Sequence, residues 1–210
     1  MSDITFDGND LILGFRDTNG DRTGNAVRSP NITANSAFPT QKFVLDEFGS
    51  QVYNADDGTD NWASNWTETG EATSATGGQI QVLNNVSNYQ LRVQGTSLSV
   101  QRSFSSATIS AISGTGTLSF AYRRVGMEAG DSVAVQISTN GGTYTTVMTI
   151  AGPGNDSTYK TAILTLSGLT TTSAVRFQTS ASMDNTDTVW FDNVRVANAT
   201  ASWMSNYTYT

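Results

Sequence analysis

The stretch that decides the fold is residues 117–150, TLSFAYRRVGMEAGDSVAVQISTNGGTYTTVMTI. Its runs at 117–124, 132–138 and 143–150 alternate apolar or β-branched residues with polar ones, which is the period of a half-buried strand. Between the second and third runs, Asn140-Gly141 offers the positive φ angles of a type I′ hairpin turn. The stretch therefore predicts antiparallel strands joined by tight turns.

The same alternation continues on both sides of this stretch. It occurs before it in QIQVLNN (79–85), YQLRVQ (89–94) and LSVQRSF (98–104), and after it in TYKTAILTL (158–166), AVRFQTS (174–180) and TVWFDNVRV (188–196). No window of a dozen residues carries a helical period, and short strands spaced this closely are typical of an antiparallel sandwich. We predict an all-β sandwich at 42–197, an N-terminal arm at 1–41 with a strand at 10–15, and a strand-like C-terminal tail at 198–210.

The composition argues against several classes of function for this protein. The chain has no His and no Cys, which removes the usual general base, the common nucleophile–base pairs and most zinc sites. Only four Glu are present and the Asp residues lie in turn contexts, so we predict that the protein is not an enzyme. With 11 basic against 18 acidic residues, no basic patch indicates nucleic acid, and no apolar run approaches the length needed for membrane insertion. The six Asn-X-Ser/Thr sequons are close to the number that chance gives here, so they permit glycosylation without indicating it.

Three stretches carry a resemblance to a known group of proteins. They are FGSQVYNADDGTDNWASNWTETGE (48–71), GTLSFAYRRVGMEAGDSVAVQISTNGGTYTTV (116–147) and AVRFQTSASMDNTDTVWFDNVRV (174–196). In this order they resemble bacterial extracellular jelly-roll β-sandwich modules, which are related in shape to MAM domains and to jelly-roll carbohydrate-binding modules. The resemblance implies an antiparallel jelly-roll sandwich and an extracellular or cell-surface location. Such modules serve adhesins, enzymes and surface fibres alike, so the fold leaves the function open.

A structural Ca²⁺ is the cofactor that the resemblance implies. In modules of this type the ion lies where the first strand meets the last, held by an acidic residue from each and by backbone carbonyls. The corresponding residues are Asp46 or Glu47 in LDEF and Asp192 in FDNV. Carboxylates and carbonyls are the hard oxygen ligands that Ca²⁺ prefers. The alternative is that these carboxylates accept hydrogen bonds from loop backbone and bind no ion.

Three aromatic residues are candidates for stacking on sugar rings. Trp62 and Trp66 are four residues apart, so on a single strand they would share a face. If that face points outwards they form a sugar platform, and if it points inwards they belong to the core, which is the commoner position of tryptophan in a sandwich. Tyr144 directly follows the hairpin turn, and we expect it to be exposed.

Two hypotheses of function follow for a non-catalytic extracellular module. In the first, it is the subunit of a self-assembling fibre or surface layer, and its partner is another copy of itself. Strand addition would complete a sheet edge of the next copy through the arm or the tail, with the assembly residues Leu11, Leu13, Phe15, Trp203 and Tyr207. In the second, it is a carbohydrate-binding or adhesive module of a secreted bacterial protein, with a glycan as its partner.

Overall fold

The computed structural model describes residues 3–7, 10–14, 42–85, 88–104 and 114–198. The chain divides into two compact units, Met1–Pro39 and Thr40–Thr210. In the first unit, strands β1 (Asp3–Asp7) and β2 (Asp10–Gly14) pair as an antiparallel hairpin, with Phe6 opposite Leu11. Strand β2 covers residues 10–14 of the strand expected at 10–15, and its partner strand β1 was not expected from the sequence.

The second unit is a sandwich of two antiparallel sheets. Its strands are β3 (Phe43–Asp46), β4 (Thr67–Thr69), β5 (Gln81–Asn85), β6 (Asn88–Gln94), β7 (Ser99–Ser103), β8 (Gly114–Val125), β9 (Ser132–Ser138), β10 (Thr145–Ala151), β11 (Lys160–Leu169), β12 (Ala174–Thr179) and β13 (Thr188–Asn198). One sheet has the order β10-β9-β12-β7-β4, and the other has the order β11-β8-β13-β6-β5, with β3 paired to β13. The prediction of an all-β antiparallel jelly-roll sandwich is confirmed. Among the residues that the structure describes, no helix is long and apolar enough to cross a membrane.

The β9–β10 hairpin is present, but its turn differs from the predicted one. The loop runs from residue 139 to residue 144, and Gly141 has a positive φ of 74°. The described non-glycine residues with positive φ are Phe48, Ser97 and Asn193, so Asn140 does not adopt the type I′ conformation. Its Oδ1 instead accepts a hydrogen bond from the backbone N–H of Gly142 at 3.3 Å, which stabilises a wider loop.

A set of stacked aromatic rings joins the two sheets. Phe177 on β12 stacks on Phe191 of β13 with ring centroids 4.0 Å apart, and it packs edge-on against Phe120 of β8 at 5.8 Å. Trp66 stacks on the same Phe177 ring at 5.9 Å. All four side chains are buried, and each ring contributes a large apolar area to the contact between the sheets.

A buried ion pair crosses the core beside these rings. Nη1 of Arg102 on β7 lies 2.6 Å from Oδ2 of Asp46 on β3, and the two side chains are 1% and 0% exposed. The Trp66 Nε1–H also donates to Oδ2 of Asp46 at 2.9 Å, and the backbone N–H of Phe48 donates to Oδ1 at 2.9 Å. The Arg102 Nε–H donates to the carbonyl of Ser64 at 2.8 Å. Asp46 and Arg102 thus connect β3 of one sheet to β7 of the other.

A second ion pair fastens the loop that follows β10, and it makes stability dependent on pH. Arg124 donates to both oxygens of Asp156 at 2.9 Å, and Lys160 Nζ lies 2.8 Å from Oδ1. Hydrogen bonds from Arg124, followed by Lys160, hold the pKa of Asp156 well below its ordinary value. A carboxyl with a depressed pKa in the folded state stabilises the fold above its unfolded pKa, and this contribution is lost as the pH falls.

We therefore expect Asp156→Asn to lower the free energy of unfolding by about 1–3 kcal/mol at neutral pH. The difference from the unmodified chain should shrink as the pH is lowered from about 5 to about 2, because the unfolded chain then binds a proton at Asp156 that the folded chain does not yet bind. Urea unfolding followed by tryptophan fluorescence at a series of pH values measures both quantities. A difference that stays constant across this pH range would contradict the assignment.

Candidate functional site

A row of polar side chains crosses the whole width of the five-stranded sheet. The strand register places them side by side from one edge to the other, in the order Thr67 (β4), Gln101 (β7), Arg176 (β12), Gln136 (β9) and Thr146 (β10). We call these residues the polar row. At the usual spacing between strands the row is about 19 Å long. It is therefore a continuous strip that can contact an extended ligand.

The polar row lies on the solvent-facing side of the sheet. Successive side chains of a strand point to opposite faces, and the neighbours of the three central members are buried in the core. These neighbours are Val100 and Arg102 on β7, Val135 and Ile137 on β9, and Val175 and Phe177 on β12. Gln101, Gln136 and Arg176 are each partly exposed, as expected for the outer face.

Tyr144 packs against the centre of the polar row. The guanidinium carbon of Arg176 lies 3.9 Å from the centroid of the Tyr144 ring. The Arg176 Nε–H donates to Oε1 of Gln136 at 2.7 Å, and Nε2 of Gln136 donates to Thr146 Oγ1 at 3.2 Å. These contacts hold the three long side chains in defined positions on a surface where such side chains are usually mobile.

The surroundings of Tyr144 determine the charge of its hydroxyl group. Burial raises the pKa of the Tyr144 hydroxyl, and the positive charge of Arg176 opposes this rise. The phenol is therefore neutral at physiological pH, and it can both donate and accept a hydrogen bond. Tyr144 is half-buried and not fully exposed as expected, so only part of its ring remains accessible to a ligand.

A second line of side chains runs beside the polar row on the same face. Gln178 on β12 has Ser99 of β7 on one side and Ala134 of β9 on the other. Ser99 is buried, whereas Gln178 and Ala134 are partly exposed. The amide of Gln178 adds a donor and an acceptor to this second line.

Trp62 and Trp66, the predicted sugar platform, lie in the core. Their side chains are 5% and 0% exposed. The segment before β4 is irregular, so these residues do not share a strand face as their spacing suggested. The Trp66 indole packs between Phe48 and Phe177, and the guanidinium carbon of Arg102 lies 4.7 Å from the Trp62 ring centroid. The core alternative therefore replaces the platform prediction for both tryptophans.

Asp46 and Asp192, which were predicted with Glu47 to hold Ca²⁺, each have protein hydrogen-bond donors. Both oxygens of Asp46 accept the hydrogen bonds described above, inside the core. Asp192 Oδ1 accepts from the backbone N–H of Asn193 at 2.8 Å, and Oδ2 accepts from the amides of Asn88 and Gln90 at 3.1 and 3.3 Å. Burial raises the pKa of Asp192, and the charge of the exposed Glu47 adds to this effect. This arrangement matches the alternative without an ion, and calcium binding by Asp46, Glu47 and Asp192 stays a prediction.

The predicted assembly residues fall in two groups. Leu11 and Leu13 lie in β2, where they pair with Phe6 and Ile4 of β1. Phe15, Trp203 and Tyr207 lie outside the described residues. One edge of β2 is therefore occupied by its own chain, and strand addition to another copy stays a prediction.

Gln101, Gln136 and Arg176 carry no signal in the sequence that would mark them as functional residues. Each is a long polar residue at an outward position of a correctly predicted strand, so the alternation alone placed it on the solvent side. Only the strand register brings the three side chains together, and they are far apart in the sequence.

No protein-family model and no curated protein matches this chain. Among solved structures, it is similar to a mutant of the family 29 carbohydrate-binding module CBM29-2 in complex with mannohexaose, with 16% identity, 76% of this chain and 93% of that chain covered, and a TM-score of 0.47. It is also similar to the CBM22-1 xylan-binding domain of Paenibacillus barcinonensis Xyn10C, with 12% identity, coverages of 72% and 93%, and a TM-score of 0.46. A third similarity is to the K3 cleaved adhesin domain of Lys-gingipain from Porphyromonas gingivalis W83, with 15% identity, coverages of 63% and 91%, and a TM-score of 0.46. At such low identities and TM-scores, the fold assignment rests on the sheet topology of this chain.

Proposed function

We propose that the sandwich is a non-catalytic carbohydrate-binding module whose ligand lies along the polar row. The observation that carries this proposal is the cluster of Tyr144, Arg176 and Gln136 on the solvent-facing side of the five-stranded sheet. A sugar chain presents hydroxyls that both donate and accept hydrogen bonds, and it also presents apolar C–H faces. Amide side chains match the hydroxyls, since each offers two donors and an acceptor. The partly exposed Tyr144 ring offers an apolar surface beside them.

The chemistry of the polar row favours binding over catalysis. Its members are two amides, two hydroxyls and one guanidinium, and none of these is a carboxylate that could act as a general acid. Arg176 is the single charged residue of the row, so the strip is mainly neutral. A polysaccharide with neutral sugars fits such a surface, and Arg176 can add charge-assisted hydrogen bonds to hydroxyls or to a carboxylate.

The carbohydrate-binding hypothesis is better supported than self-assembly through the arm. The polar row supplies a defined surface with matching chemistry, whereas β2 of the arm already pairs with a strand of its own chain. A polysaccharide ligand also fits the extracellular or cell-surface location expected from the sequence. Size-exclusion chromatography with light scattering on the full chain checks the competing hypothesis, because a fibre subunit would elute as a concentration-dependent oligomer.

We expect Tyr144→Ala and Arg176→Ala each to weaken glycan binding by about tenfold to a hundredfold, because each removes contacts worth about 1–3 kcal/mol. The test is affinity electrophoresis followed by calorimetry with xylan, mannohexaose, cellohexaose and β-1,4-galactotriose. This panel covers the ligand classes of the similar structures. A uronic acid polymer is included because Arg176 could recognise its carboxylates.

Arg92→Ala is the matched control for Arg176→Ala. Arg92 is also partly exposed, but it lies on the outer face of the other sheet, where it pairs with Trp190 and Gln81. Its replacement should leave glycan binding unchanged. Binding that survives Arg176→Ala and disappears with Arg92→Ala would move the site to the six-stranded sheet. Absence of binding to every polymer would contradict the proposed function.

A further inference from the structure

Three carboxylates meet where the loop between β8 and β9 touches the loop that leads into β13. One oxygen each of Glu128, Asp131 and Asp187 lies within 4.8 Å of the others. Asp131 and Asp187 are 4% and 1% exposed, whereas Glu128 is exposed to solvent. We call these three residues the carboxylate cluster. It is separate from the polar row, and it does not include Asp46, Glu47 or Asp192.

The backbone is shaped to bring the two loops together. Gly126 has a positive φ of 75°, and a Cβ atom at this position would lie 2.5 Å from the carbonyl oxygen of Thr186. Any side chain would therefore push the loops apart. Asp131 Oδ2 accepts a hydrogen bond from the backbone N–H of Glu128 at 2.6 Å, which turns the first loop back on itself.

One buried oxygen in the cluster has no hydrogen-bond partner. Asp187 Oδ2 accepts from the backbone N–H of Asp184 at 2.8 Å, but Asp187 Oδ1 is buried and unpaired. A buried carboxylate oxygen without a donor is costly, and two further carboxylates nearby add electrostatic repulsion. In the described sandwich the ion pairs involve Asp46, Asp56 and Asp156, so no arginine or lysine there neutralises the cluster.

We propose that Glu128, Asp131 and Asp187 bind a divalent cation, and that Ca²⁺ is the preferred ion. A cation would satisfy the unpaired Asp187 oxygen and remove the repulsion in one step. The ligands are all hard oxygens on two irregular loops, and Ca²⁺ accepts flexible oxygen coordination, whereas Mg²⁺ demands near-ideal octahedral geometry. The exposed side of Glu128 leaves room for water to complete the coordination. The bound ion would fasten the two loops to each other.

A shared proton is the competing explanation for such closely spaced carboxyls. Hydrogen bonding to the carboxyl groups of Asp187 and Asp131 raises the pKa of Glu128, which reflects how near the groups are. A single proton joins only two oxygens, however, and it leaves the third carboxylate charged. The two explanations predict different results when a metal is added, because only a cation site should bind Ca²⁺.

The test uses the full chain after treatment with EDTA and transfer to metal-free buffer. Titration with CaCl₂ in a calorimeter should show one site with a Kd of about 10⁻⁵–10⁻³ M, within the range of protein calcium sites. Thermal unfolding should move upwards by several degrees at saturating Ca²⁺, because the ion binds only the folded state. The Kd for Mg²⁺, measured with MgCl₂, should be at least about tenfold higher than the Kd for Ca²⁺.

Glu128→Gln and Asp187→Asn should each abolish the calcium-induced shift. Asp187→Asn keeps an oxygen that can accept the hydrogen bond from Asp184, so the loop can still form. Glu128→Gln alters an exposed side chain and should raise the melting temperature in EDTA, because it removes one of three like charges. Asp192→Asn is the matched control, and it should retain the full response to Ca²⁺.

Three outcomes would overturn the proposal. The first is an unmodified chain that shows no heat of binding and no thermal shift with Ca²⁺, which leaves the shared proton as the explanation for the close carboxyl groups. The second is a calcium response that survives in Glu128→Gln and Asp187→Asn but disappears in Asp192→Asn, which places the ion near the first and last strands. The third is equal binding of Ca²⁺ in all variants, which indicates non-specific association.

Discussion

Asp46→Asn is expected to lower the free energy of unfolding by about 3–5 kcal/mol, because it leaves Arg102 as a buried charge without its main partner. Arg102 is 1% exposed, and its remaining carboxylate neighbour, Asp56, lies 3.4 Å away and is 30% exposed. The asparagine has nearly the same size as the aspartate, so no cavity contributes to the loss. Burial raises the pKa of Asp46 to about 6. The measurement is therefore made at a pH of about 8, where the carboxylate is ionised.

A double replacement separates the charge effect from simple damage to the core. Asp46→Leu combined with Arg102→Met removes both charges, and apolar side chains often replace a buried ion pair without loss of stability. We expect the double variant to be more stable than Asp46→Asn in guanidinium chloride unfolding. Asp57→Asn, which alters an exposed neighbour, should change stability by no more than about 0.5 kcal/mol. A double variant as unstable as the single one would show that the hydrogen bonds from Trp66 and Phe48, and not the charge, are the main contribution of Asp46.

Phe177→Ala is expected to destabilise the sandwich by about 3–5 kcal/mol, the usual range for removing a buried aromatic ring. Phe177 contacts Phe191 and Phe120 of the opposite sheet as well as Trp66, so its loss opens a cavity between the sheets. Phe177→Leu should lower the free energy of unfolding by less, since leucine keeps part of the side-chain volume of phenylalanine. Equilibrium unfolding in urea, followed by near-UV circular dichroism, measures both variants.

Ile163→Ala is the matched control for truncating an apolar side chain. Ile163 lies on β11 and is 71% exposed, so its replacement removes little buried surface. We expect a change of no more than about 0.5 kcal/mol. If Phe177→Ala cost as little as Ile163→Ala, the aromatic contacts would not be what holds the two sheets together.

The long strands of this fold were predictable because alternation is a local property of the sequence. The runs at 117–124, 132–138 and 188–196 each became a strand with the expected buried face. The short strands β3 and β4 show no period, since three or four residues are too few, and β3 was expected only from the resemblance. The hairpin at Asn140-Gly141 was placed correctly, but its turn type depends on how the loop packs and not on two residues alone.

The candidate sites were less predictable, because they depend on strand register and on contacts between distant loops. Tyr144 was identified from its position after a turn, but Arg176 and Gln136 become its neighbours only through the pairing of β12 with β9. Trp62 and Trp66 were assigned a shared face on the assumption of a strand, and the irregular segment before β4 removed that assumption. Glu128 and Asp187 are 59 positions apart in the sequence, and no local pattern connects them.

The pairing of β3 with β13 has a consequence for the order in which the protein is made. The backbone N–H of Asn198 donates to the carbonyl of Lys42 at 3.0 Å, across 156 positions of sequence. During synthesis, β3 therefore stays unpaired until β13 has been synthesised and has left the ribosome. Contacts of such high sequence separation slow folding and prolong the exposure of unpaired strands. A ribosome-bound chain that ends before β13 should accordingly remain sensitive to protease at β3, and release of the complete chain should end that sensitivity.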